Sequence, residues 1–157
     1  MRVVRWLVSL SVLGAVLVCS GRSVSAQTCS ISVTSVKFGV YDVFSTSNLA
    51  STGAVTYRCS GWTSSHPIVL LLGKGVYGSS YNSRQMASGN SRLNYYLCRD
   101  AGQNTASVWG DAYPDGYGFI YLQNTSGTAV TIYGWIPFGQ DVSAGSYSDT
   151  VVATVLF

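Results

Sequence analysis

Hydrolytic chemistry of the serine or cysteine type needs a nucleophile held against a base, and this 157-residue chain offers a single histidine, His66. Pro67 follows it at the mouth of an apolar run, where a solvated loop residue is the plain expectation, and no serine stands in a nucleophile-elbow frame. Asp111 and Asp115 flank Tyr113-Pro114 and are the nearest thing to a paired-carboxylate glycosidase site. In a stretch so rich in turn residues, however, aspartates serve the backbone. Gly73-Lys74-Gly75 lacks the full phosphate-loop spacing. The cysteines form neither a CxxC pair nor a cluster with histidine, so no zinc site is expected. The sequence therefore assigns no catalytic residue, no cofactor and no metal, and a non-enzymatic role is expected.

The location of charge narrows the partners. Nine Lys and Arg against six Asp and no Glu give a formal +3, but Arg2, Arg5 and Arg22 all fall within residues 1–26. That segment reads as a secretory signal peptide: a basic start, an apolar run over 6–19, then small and polar residues ending Val24-Ser25-Ala26. The run is too short for the roughly 20 residues of a membrane-crossing helix. Cleavage after Ala26 would remove Cys19 and leave a domain over 27–157 with six basic and six acidic side chains. Formal neutrality gives no electrostatic case for nucleic acid or an anionic membrane, and membrane insertion after cleavage is not expected.

Export permits disulfides, and Cys29, Cys59 and Cys98 allow three single bridges with one thiol left over. Cys29–Cys59 is favoured, since each ends a short alternating segment and a bridge would staple two neighbouring strands. Cys98 is then a buried thiol or a link between chains.

These residues must be positioned by strands. Segments 30–36, 54–59, 67–72, 93–98, 117–122, 128–136 and 147–157 alternate or run apolar, and Gly, Ser, Asn and Asp clusters separate them. No window shows a capped period of 3.6. The expectation is one all-β domain, an antiparallel immunoglobulin-like β-sandwich. In the last segment Val151, Ala153, Val155 and Phe157 form one wholly apolar face. Such a strand is either central and flanked, or has its edge completed by another polypeptide.

Taken together, Cys29, Phe38-Gly39-Val40-Tyr41-Asp42, Cys59, Arg84-Gln85-Met86, Leu93-Asn94-Tyr95-Tyr96-Leu97, Arg99-Asp100, Trp109-Gly110, Tyr133-Gly134 through Pro137, and Gly145-Ser146-Tyr147-Ser148-Asp149-Thr150-Val151 leading to Phe157 carry a resemblance. The chain resembles the spore coat protein U domain family, which includes the subunits of archaic (Csu-type) chaperone–usher pili. The resemblance implies an incomplete sandwich lacking its last strand. A periplasmic pilus chaperone would lend a strand in transit, an outer-membrane usher would pass the subunit on, and sister subunits would complete it at the cell surface. Val151, Ala153, Val155 and Phe157 would line the groove that receives the donor. Adhesion and biofilm formation follow from the same resemblance.

Two features depart from the family pattern. Only Gln27 and Thr28 would precede Cys29 after cleavage, too little for a donor strand, which points to a tip-like, minor or non-donating subunit. Cys98 stands near a point where the family more often places an aromatic. A different class of reading is a self-sufficient secreted β-sandwich that binds carbohydrate or another surface through loop aromatics Trp62, Trp109, Tyr113 and Tyr117, for which packing is the more ordinary use.

Overall fold

Strands rich in Val, Ile, Thr and Tyr, with an inward residue every second position, build two facing sheets. The structure is a computed structural model and describes residues 27–61, 68–111, 120–122 and 126–157. Along the chain run β1 (Thr28–Thr34), β2 (Leu49–Ser60), β3 (Ile68–Leu72), β4 (Arg84–Ser88), β5 (Ser91–Cys98), a 3-10 turn (Thr105–Ser107), β6 (Ile120–Leu122), β7 (Ser126–Ile136) and β8 (Ala153–Leu156). The larger sheet has the order β1-β2-β7-β5-β4 and the smaller one β6-β3-β8, with antiparallel pairing throughout.

The expected all-β, antiparallel architecture is what the chain forms. Val55, Tyr57 and Cys59 of β2, Leu93, Tyr95 and Leu97 of β5, and Ile132 and Ile136 of β7 meet Ile68, Leu70 and Leu72 of β3 in one core. Every residue of β3 is buried, so both faces of this strand are covered as well as both edges paired. Alternation was visible for most of these strands. It was not visible for β4, because Arg84 occupies an inward position where a charge is not anticipated. The segment read as one long strand over 147–157 is divided. Ser148 exchanges backbone hydrogen bonds with Ala87 of β4, and the chain then crosses to the smaller sheet, where β8 begins only at Ala153.

β1 also ends earlier than the alternation suggested. Residues 35–43 leave the sheet and turn Val36 and Phe38 inward, against the core. Two glycines make the room. A Cβ on Gly134 would stand 2.7 Å from Val36 Cγ1 and 2.9 Å from Phe38 Cζ, and one on Gly53 would stand 2.5 Å from the Thr34 carbonyl. Glycine inside a strand commonly marks such a close approach. Phe38 then meets the Tyr95 ring edge-on at 6.0 Å.

Candidate functional site: an open edge beside an apolar cleft

β8 pairs with β3 on one side, and no described strand is hydrogen-bonded to its other edge. The phase of the ladder decides which groups that edge presents. Gly73 N–H donates to the Val152 carbonyl at 2.9 Å, and Leu72 stands opposite Ala153 and Leu70 opposite Val155. Backbone groups in an antiparallel pair alternate between partner and outside. Val152, Thr154 and Leu156 therefore turn theirs toward β3, and Ala153 and Val155 turn theirs toward the open edge. The side chains of Ala153 and Val155 pack against the core, while Val152 is 67% exposed. The edge thus offers hydrogen-bonding groups and an apolar face from the same residues.

Alongside lies a cleft of about 1300 Å³. One wall is the segment 33–43, the other is 142–149 with Val151 and Ala153, and Met86, Leu93, Tyr95, Leu97, Ile132 and Ile136 form the floor. Of the four residues expected to line a strand-receiving groove, Val151 and Ala153 line this cleft. Val155 packs against the core beyond the lining, and Phe157 is 50% exposed. The sequence reading missed the wall at 33–43, because it depends on two inward glycines remote in sequence from it.

The walls are tied down. The Tyr41 hydroxyl donates to the Pro137 carbonyl at 2.9 Å and accepts from Gln140 N–H at 2.9 Å. The Tyr147 hydroxyl lies 2.7 Å from both the Ser143 carbonyl and Ser91 Oγ. Tyr95 donates to Asp149, and burial, reinforced by that carboxylate, pushes the Tyr95 hydroxyl far above the ordinary tyrosine pKa.

Below the cleft, Arg84 is wholly buried and donates to four carbonyls: Nε to Gly73 at 2.8 Å, Nη1 to Tyr81 at 3.2 Å, and Nη2 to Leu72 at 2.7 Å and Trp109 at 2.6 Å. Burial draws its pKa below the ordinary arginine value, opposed by the fields of Tyr95, Asp111, Cys98 and Asp149. A buried charge is tolerable only with its donors satisfied. Here the guanidinium fixes the end of β3 from which β8 hangs. Neither its burial nor its acceptors had a local signal in the sequence.

The cysteines resolve as follows. Cys29 and Cys59 face each other across β1 and β2 and are joined by a disulfide. Cys98 is the buried thiol of the two expected alternatives, with no exposed surface and accepting from Trp135 Nε1 at 3.4 Å. Trp109 takes the packing role that was the more ordinary expectation and not the surface one: it is fully buried, and its indole N–H donates to the Leu70 carbonyl at 3.0 Å. A buried Trp needs such a partner. Trp62, Tyr113 and Tyr117, with His66 and Asp115, lie outside the described residues. Among the described residues there is no group of three or more side chains suited to a metal ion.

The chain is an antiparallel β-sandwich in which, among the described residues, one edge lies unpaired beside an apolar cleft. The model of the Spore Coat Protein U domain matches residues 15–154, and this chain belongs to that family. Protein U of Myxococcus xanthus is 31% identical over 134 residues, which cover 78% of this chain and 71% of that protein. Among solved structures, the CsuC–CsuE chaperone–tip adhesion subunit pre-assembly complex from archaic chaperone–usher Csu pili of Acinetobacter baumannii contains a chain of similar fold. The TM-score is 0.56 at 22% identity, covering 84% of this chain and 40% of that one.

Proposed function

We propose that this chain is a secreted structural subunit of a surface pilus or coat, completed by a strand donated from another polypeptide. One observation carries the reading: the unpaired edge of β8 lies beside an apolar cleft lined by Val151 and Ala153. Strand addition draws affinity from main-chain hydrogen bonds and specificity from alternate side-chain pockets, and this edge has both. Left open, it would invite aggregation. The partners that follow are a periplasmic chaperone, an outer-membrane usher and sister subunits, with transit through the periplasm to the cell surface. The similar solved structure is itself a chaperone–subunit complex.

We place the subunit at a tip-like or minor position, with a role in adhesion or biofilm formation. β1 is engaged with β2 from Thr28 onward and bolted by Cys29, so the chain after the expected cleavage point is already committed to its own sheet. The loops carrying Val40, Phe44 and Phe138 are joined through Tyr41 and Asn48, and these three side chains are 91%, 89% and 53% exposed. An apolar group of this kind suits contact with another surface.

The test is to produce residues 27–157 alone and with a candidate chaperone from a neighbouring gene. Co-purification is expected, weakened by Ala153→Asp or Val155→Asp and retained in the outward-facing control Val152→Glu. A stable monomer that unfolds cooperatively without a partner would overturn strand acceptance.

A further inference from the structure

A second hollow lies on the outer face of the larger sheet, on the side opposite the core. Across the β2–β7 pairing, Ala50 stands opposite Trp135 and Thr52 opposite Tyr133. Small side chains facing large aromatic ones leave a slot of about 440 Å³, closed on one side by Asp100, Ala101 and Gln103.

The slot is built in advance of any ligand. Trp135 is backed by Tyr96, the two rings stacked at 4.4 Å and 18°, and its indole N–H is spent on Cys98 Sγ. The wall is held by Asp100 Oδ1 accepting from Gly102 N–H at 2.8 Å and by Gln103 Oε1 accepting from Asn48 Nδ2 at 2.9 Å. Gln103 has φ 47°, the one positive φ among the described non-glycine residues. Strain of this kind persists where surroundings enforce it, and it gathers at ligand sites.

Chemistry selects the occupant. β2 and β7 are interior strands with both edges paired, so a peptide strand has no backbone edge to join here. Among the described residues no Lys or Arg lines the slot and Asp100 does, which disfavours an anion. What remains on offer is aromatic carbon, chiefly from Tyr133 with the small exposed part of the buried Trp135, the Thr52 hydroxyl, the Gln103 amide and the second oxygen of Asp100. A pyranose presents a face of C–H groups to stack on aromatic rings and a rim of hydroxyls for acid and amide partners. We propose that this slot binds a neutral pyranose, independently of the strand-receiving cleft.

The test uses the purified protein, alone or with whatever partner chain it carries, and probes it with methyl β-glucoside, methyl β-galactoside and N-acetylglucosamine by saturation-transfer NMR and tryptophan fluorescence. Glucuronate and choline serve as charge controls. Saturable binding of at least one neutral probe is expected, without binding of glucuronate. Ala50→Trp, at an exposed position, should fill the slot and abolish it. Gln103→Gly keeps the positive φ accessible while removing the amide, and should weaken binding about tenfold. No binding of any neutral probe, stronger binding of choline or glucuronate, or binding unchanged in both variants would overturn the proposal.

Discussion

The Tyr95 hydroxyl donates to Asp149 Oδ2 at 2.7 Å, tying the floor of the cleft to the segment that leads into β8. The other oxygen of the same carboxylate accepts from Val76 N–H and Thr150 N–H, both at 2.8 Å. Gly75, at φ 82°, passes so close that a Cβ there would overlap the carboxylate. Asp149 thus joins three segments that are far apart in sequence.

Removing this bond should loosen the wall of the cleft before it unfolds the core. Tyr95→Phe is expected to cost about 2 kcal/mol, the range for a hydrogen bond to a charged group, read from the denaturant midpoint. The bond also sets a pH dependence. The folded-state pKa of Tyr95 is raised, first by burial and then by Asp149, so the stabilisation is complete below the unfolded tyrosine value of about 10. Above that pH the unfolded chain has shed a proton that the folded one keeps, and stability falls as pH rises. Tyr95→Phe should flatten that alkaline slope.

Arg84 is the buried group with most to lose. Arg84→Met strands four carbonyls, and breaking a buried charged network costs about 3–5 kcal/mol. That approaches the lower end of the total stability of folded domains, about 5–15 kcal/mol. The expected result is loss of soluble protein. Arg84→Lys should rescue only part, because one ammonium cannot span acceptors that the planar guanidinium reaches in different directions. Full-yield Arg84→Met would contradict the assignment.

The Cys29–Cys59 bridge closes a loop with a sequence separation of 30. In the chain-entropy picture it contributes about 4 kcal/mol. Replacing both cysteines by serine should shift the denaturant midpoint accordingly. Amide exchange should quicken first in β1, which among the described residues pairs with β2 alone.

Gly134→Ala tests the inward turn of residues 35–43. The added methyl meets Val36 and Phe38, and overpacking of this sort costs about 1–3 kcal/mol. Displacement of the Phe38 ring from Tyr95 should change the aromatic NMR shifts of both. Unchanged shifts would mean that the wall of the cleft does not depend on that glycine.

The alternation in residues 151–157 made the apolar face of β8 readable from sequence, because period-two patterning reports burial on one side directly. The Cys29–Cys59 pairing was readable for a related reason: two alternating segments that end in cysteine suggest neighbouring strands. Arg84 was not readable, since its partners come from Leu72, Gly73, Tyr81 and Trp109, and only the closed fold assembles them. For Trp109 the sequence left a surface role open beside packing, and the fold decides it: its backbone N–H donates to the Leu97 carbonyl and its side chain fills the core. The wall at 35–43 was hidden because what places it is the missing side chains of Gly53 and Gly134.

The latch between Tyr41 and Pro137 joins residues 96 apart, and its wall closes around a strand pair, β3 with β8, of comparable separation. Contacts of such range form slowly, because chain entropy is surrendered before they are made. The cleft is thus built from contacts that carry a high closure cost. Under the proposed function, a donated strand would complete the domain's maturation, and the wait for it would set the chain's exposure to self-association.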